Sequence, residues 1–166
     1  MKGKTANAPL EVKCGLAMKM LKIRWYEERD FRAYVGTLEK TTNWGDAAEE
    51  ELAARIQKMT EKDEIWVAEA DSKAVGFMIL TPNDDGTLEV DWLDVHPDFQ
   101  RKAVATSLVA KAEEIAKAKK VEALSVHTWM ENKKMLAFLE KNGFKLFEKI
   151  ADFYGKGKDA LRYKKP

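Results

Sequence analysis

The chain has 166 residues, 45% hydrophobic and 34% charged, the size and balance of one globular domain with enough length to bury a good core. Lys and Arg number 29 against 28 Asp and Glu, a net charge of +1, which excludes the basic excess of a general nucleic-acid binder. The single cysteine, Cys14, excludes an internal disulfide framework and, with only two histidines, speaks against a Cys/His zinc centre. No apolar run approaches the roughly 20 residues that span a bilayer, and no signal-peptide block opens the chain, so the expectation is a cytoplasmic, metal-free protein.

Residues 1–15 carry no periodicity and are expected to form a loose tail, with one domain over 16–166. Leu16 to Arg24 alternates partly, as a half-buried strand does. Phe31, Tyr34, Val35 and Leu38 make one helical stripe, and Asp46 caps a second helix with Leu52, Ile56 and Met59 on its buried face. Two strands, Glu64 to Ala70 and Ala74 to Leu80, flank the hairpin turn Asp71-Ser72-Lys73. A third runs from Thr87 to Val95, then a helix from about Lys102 to Lys119, a strand from Val121 to His127, and a helix from Glu131 to Lys141 stopped by Gly143. Strands at about Phe144 to Phe153 and Ala160 to Tyr163 close the chain, joined by a flexible Gly155-Lys156-Gly157-Lys158. Hairpins first and helical crossovers later predict a single α/β (α+β) domain, a mixed, mostly antiparallel sheet of about seven strands with helices on both faces.

The junction after Val95 is the most informative segment. Pro97 ends the strand, and a turn of small residues opens a helix whose unpaired N–H groups and dipole suit a phosphate or pyrophosphate. Arg101 and Lys102 add full charges, and Ala103 and Ala105 allow close approach of an anion. Upstream, Leu88, Val90 and Trp92 point to one face of their strand while Glu89 and Asp91 share the other, about 7 Å apart. Burial and mutual repulsion are expected to raise at least one of those carboxyl pKa values toward the range of a useful base.

Gln100-Arg101-Lys102-Ala103-Val104-Ala105 resembles the Gln/Arg-x-x-Gly-x-Gly/Ala signature of the GCN5-related N-acetyltransferase (GNAT) superfamily, matching at Gln100 and Ala105 and departing at Ala103, where that family has glycine. Asn132 and Glu140-Lys141-Asn142-Gly143-Phe144 resemble a second family element, with Leu139 in place of its usual tyrosine, and Ile23-Arg24 before Asp30 is similar as well. The stretch from Asp152 to Ala160 is weakly similar to the closing segment of ribosomal-protein and archaeal N-terminal acetyltransferases, keeping Tyr154, Gly157, Asp159 and Ala160.

The resemblance implies an acetyl-CoA-dependent N-acetyltransferase acting on a primary amine by direct attack in a ternary complex. It implies backbone contacts to the pantetheine arm from Leu93 and Val95, a pyrophosphate held by Gln100, Arg101, Lys102, Ala103, Val104 and Ala105, and Asn132 near the pantetheine. It makes Glu89 the base, acting through a water, with Asp91 modulating it or orienting the amine. Tyr154 stands in for the missing tyrosine as acid, and Trp25, Tyr26 and Trp44 line the acceptor pocket. The acceptor is a small amine, a protein N-terminus or a lysine; no nucleic acid or membrane partner is expected, and a homodimer is left open. His127 ends a strand beside the presumed cleft, where it either assists proton transfer or simply packs. Ala103 and Leu139 keep a different class in play, a non-catalytic acyl-CoA-binding module on the same fold.

Overall fold

Asp71 and Ser72 both take left-handed backbone, φ 48° and 66°, the geometry of a two-residue hairpin turn whose twist suits the strands it joins. Those strands are β3 (Glu64–Ala70) and β4 (Lys73–Pro82). The computed structural model describes residues 10–12 and 20–166, with side chains from Met20 onward. Ahead of the hairpin lie β1 (Leu10–Val12), β2 (Leu21–Trp25), α1 (Phe31–Thr41) and α2 (Ala48–Gln57). After it come β5 (Leu88–Val95), α3 (Val104–Lys119), β6 (Leu124–Trp129), α4 (Lys133–Lys141), β7 (Lys145–Ile150) and β8 (Ala160–Lys165). The sheet order is β1-β2-β3-β4-β5-β6-β8-β7. It is mixed, because β5 and β6 run parallel while β2 with β3, β6 with β8 and β7 with β8 run antiparallel.

The chain groups into two compact units. One runs up to Met59 and takes in Ile65–Met78 and Leu93–Lys111; the other comprises Thr60–Glu64, Ile79–Trp92 and Ala112–Pro166. In the first, the alternation of β4 decides which helix covers which face. Phe77 stacks on Tyr34 of α1 with ring centroids 4.1 Å apart. Its neighbour Gly76 faces the other way, and a Cβ there would come within 2.7 Å of Val104 Cγ1 and 3.3 Å of Leu108 Cδ1. Helices α1 and α3 therefore cover opposite faces, and glycine at 76 lets α3 approach the sheet closely. In the second unit, Leu88, Val90, Leu124 and Val126 are buried, with Leu139 of α4 and Tyr163 of β8.

Several expectations change. Asp46 lies inside a short 3-10 turn, Gly45–Ala47, and does not cap α2, whose N-cap is Ala47 with no side-chain hydrogen bond. Leu10–Val12, assigned to a loose tail, pair with β2 from Leu10↔Ile23 to Val12↔Leu21; the remainder of that tail, Cys14 included, lies outside the described residues. Helix α3 begins at Val104 rather than Lys102, because Arg101 and Ala103 are left-handed (φ 59° and 61°) and cannot belong to a right-handed helix. The stretch Gly155 to Lys158, expected to be flexible, is tied down: the Tyr154 N–H donates to the Lys158 carbonyl (3.0 Å) and the Asp152 carboxylate accepts the Gly157 N–H (2.5 Å). Among the described residues no helix is long and apolar enough to cross a membrane.

Candidate active site

The parallel ladder of β5 and β6 is very short. It pairs Leu88 with Leu124 and Glu89 with Ser125, although β5 continues to Val95 and β6 to Trp129. A strand that parts from its neighbour leaves backbone groups that need other partners. The Glu89 side chain supplies one, its Oε1 accepting the His127 N–H at 2.9 Å.

Both Glu89 oxygens are engaged. Oε1 also meets His127 Nδ1 at 2.6 Å, while Oε2 accepts from the Ser125 hydroxyl and from Asn83 Nδ2 at 3.3 Å. Ser125 and His127 are two residues apart on β6 and so share one face. Glu89 is only 6% exposed. Burial alone would raise its pKa, but the hydrogen bonds from His127 and Ser125 and the attraction of His127 outweigh it and hold the carboxyl below its ordinary value. This corrects the expectation of a raised pKa at Glu89. Asp91, expected to be buried beside it, is exposed, so mutual repulsion in a dry site does not arise.

Tyr154 joins this group. It is 45% exposed, and its pKa is pushed up to about 12 by burial and by the negative charges of Glu89 and Asp91, so it holds its proton at neutral pH. Phe153, next to it, packs edge-on against the Tyr154 ring and stacks on His127 with centroids 5.0 Å apart and planes 2° from parallel. The loop carrying both aromatics is pinned by the Asp152 N–H donating to Asp159 Oδ1 (3.0 Å) and by a Lys149–Asp159 ion pair (2.9 Å). Below Ser125, Arg162 donates to Asp85 (2.7 Å) and to the Thr87 hydroxyl (3.1 Å). That charge and the Thr87 hydrogen bond hold the Asp85 carboxyl far below the usual carboxylate range. Leu139, in place of the family tyrosine, is fully buried and offers no proton.

The other unit carries the turn into α3. The Ser107 N–H donates to the Ala103 carbonyl at 2.9 Å, so the N–H groups of Val104, Ala105 and Thr106 precede any helical acceptor. The left-handed residues 101 and 103 shape the turn ahead of them, and the combination of turned backbone amides and a helix N-terminus fits a phosphate or pyrophosphate. Val104 has its side chain buried and offers only backbone. Gln100 turns inward, Nε2 donating to the Val95 carbonyl at 3.1 Å, and so fastens strand to turn. Lys102 Nζ lies 5.3 Å from the centre of the Phe99 ring. Leu93 and Val95 occupy the end of β5, beside Asp94. Asn132 is the N-cap of α4, its Oδ1 accepting the Met135 N–H at 3.2 Å.

Trp25, Tyr26 and Trp44 belong to the unit of the turn, whereas Glu89, Asp91 and Tyr154 belong to the other. Trp25 stacks on its cross-strand partner Trp66, centroids 4.2 Å apart. Tyr26, half-buried, has its pKa raised by burial and by Asp30 and Glu28. Trp44 is half-buried at the end of the loop after α1. Sequence reasoning missed Ser125, Phe153 and Asp94 altogether. Asp94 accepts from the Tyr34 hydroxyl at 3.3 Å, and burial, only partly offset by that bond, raises its pKa to about 6.

A family model described as the acetyltransferase (GNAT) family matches residues 21–144. Solved structures share the fold. The ribosomal-protein-S18-alanine N-acetyltransferase of Escherichia coli has a TM-score of 0.72 at 20% identity, over 89% of this chain and 94% of that one. Ard1 from Thermoplasma volcanium gives 0.73 at 14% identity, over 87% and 96%. The spermidine/spermine N-acetyltransferase SpeG of Vibrio cholerae gives 0.65 at 20%, over 87% and 91%. No curated protein matches the chain.

Two predictions follow from the backbone at 103 and the carboxyl at 94. A left-handed alanine costs about 1–2 kcal/mol, more than glycine's extra entropy in the unfolded chain. Ala103→Gly is therefore expected to raise the thermal midpoint by about 2–4 °C in a chain of this size; an unchanged or lowered midpoint would contradict the left-handed turn. A raised carboxyl pKa gives stability that is full below the ordinary value of 3.8 and lost as pH climbs through about 6. Asp94→Asn should then be more stable than the parent in urea at about pH 8, with the gain shrinking toward zero at about pH 4. A gain independent of pH would count against the burial of Asp94.

Proposed function

The chain belongs to the acetyltransferase (GNAT) family, and from that premise we propose that it moves the acetyl group of acetyl-CoA to a primary amine by direct attack in a ternary complex. What supports this most is the early end of the β5–β6 ladder beside an ionised, fully hydrogen-bonded carboxylate. The donor supplies an activated acetyl thioester. Its pyrophosphate is assigned to the N–H groups from Ala103 to Ala105, with Arg101 and Lys102 as flanking charges and Gln100 as a brace. Its pantetheine arm is assigned to the backbone of Leu93 and Val95, and Asn132, the N-cap of α4, is proposed as a further contact of that arm.

Asp91, exposed and within the electrostatic field of Tyr154, attracts the acceptor's ammonium group. Tyr154 keeps its phenolic proton at neutral pH and offers it to the departing sulfur. A thiolate is a good leaving group, so this help adds to the rate without being indispensable. Trp25, Tyr26 and Trp44 are assigned to the acceptor's apolar part. The acceptor is a small amine or a protein N-terminus or lysine; the acetyltransferases of similar fold include ones named for a ribosomal-protein alanine and for spermidine and spermine.

Calorimetric titration is expected to show acetyl-CoA and free CoA binding in about the micromolar range, some −8 kcal/mol, and a screen of amines and N-terminal peptides should find one that releases free thiol. No saturation at about millimolar cofactor (−4 kcal/mol) would contradict the assignment of the turn. Saturable binding with no thiol release from any amine would instead mark a non-catalytic acyl-CoA-binding module.

A further inference from the structure

We propose that His127 is the catalytic base, with Glu89 as the residue that positions it; this rests on the acetyl-transfer reading above. Held ionised by its environment, the carboxylate can only accept hydrogen bonds. His127 Nδ1, 2.6 Å from Oε1, must therefore be the nitrogen that carries the hydrogen. In the neutral ring this leaves the lone pair on Nε2, the atom facing away from Glu89. Among the described residues no hydrogen-bond partner meets Nε2, and the side chain is 19% exposed.

Two side chains hold the ring, and a third strand pairs with its backbone. Glu89 of β5 holds it twice, through Nδ1 and through the backbone N–H. Phe153, from the loop before β8, lies flat against it. Arg162 of β8 is its register partner across the antiparallel ladder. The charged groups beside it are Glu89 and Arg162, with the Tyr154 phenol on the far side of Phe153 and Asp91, exposed in the middle of β5, acting on that phenol. Glu89 itself is a poor base: both oxygens are engaged and its affinity for protons is reduced.

The proton balance closes. One proton of the acceptor ammonium passes to His127 Nε2, and the freed nitrogen lone pair forms the N–C bond to the acetyl carbon. The C–S bond breaks with its electron pair on sulfur, which takes the Tyr154 proton, and a second proton from nitrogen restores the phenol. The products are the amide, free CoA thiol and one proton, which Nε2 returns to water.

His127→Ala should lower kcat by about 10²- to 10⁴-fold, the usual weight of a general base, with the acetyl-CoA dissociation constant unchanged. Added imidazole should restore part of the rate, and substituted imidazoles should restore more as their basicity rises, a dependence that a packing role would not produce. If the alanine variant does not fold, His127→Gln keeps the bulk without the base and should show the same loss. In the free wild-type protein in alkaline buffer, ¹⁵N shifts should place the hydrogen of His127 on Nδ1. A variant within about threefold of wild type, well short of a general base's weight, a loss that no imidazole rescues, or a hydrogen on Nε2 would each overturn the proposal. A wild-type protein that binds acetyl-CoA yet acetylates no amine would overturn the acetyl-transfer reading itself, which separates the two failures.

Discussion

The carboxylate of Glu89 does the work of a missing strand. Where β5 and β6 stop pairing, a buried backbone N–H at His127 would be left without an acceptor, at a cost of about 1–3 kcal/mol. Glu89 removes that cost and takes three further donors besides. A carboxylate so placed is compelled to stay ionised, and an ionised carboxylate dictates the tautomer of the imidazole that touches it. Opening a sheet and orienting a base are thus one constraint, met by a single side chain.

The turn before α3 solves a different problem with similar economy. Three N–H groups of the first turn precede any helical acceptor, and Arg101 and Ala103 bend the backbone ahead of them by adopting left-handed φ values. Gln100 fastens the bend to the strand through the Val95 carbonyl, and Val104 anchors its far side beneath Gly76. Alanine at 103 retains the shape that glycine would reach with less strain. The departure from the family pattern therefore bears on the stability of the turn.

Much of this was legible in the chain. Hairpin-linked strands followed by helical crossovers gave the element order, because hydrophobic periodicity and turn residues are local signals. Glu89 stood out for the same reason, as a charge on a strand with apolar neighbours. Its lowered pKa is not legible there, because local pattern carries no information on partners 36 and 38 residues away: Ser125 and His127 become its hydrogen-bond donors only through the parallel pairing. Glycines at 155 and 157 suggest a flexible link, yet the Asp152 carboxylate and the Lys149–Asp159 pair order the loop that carries Phe153 and Tyr154. Asp94 gave no signal at all, since its raised pKa comes from burial near Tyr34, 60 residues earlier in the chain.

If Glu89 and His127 act as one unit, a double-mutant cycle on the acetyl-transfer rate will reveal it. Glu89→Ala removes the acceptor of both the His127 N–H and Nδ1, so that nothing holds the imidazole hydrogen on Nδ1 or keeps the ring in place. On this account the variant carrying both Glu89→Ala and His127→Ala is no slower than the worse single variant, because either change alone already disables the pair. Losses that multiply in the double variant would mean that the two residues contribute independently, and would contradict the account.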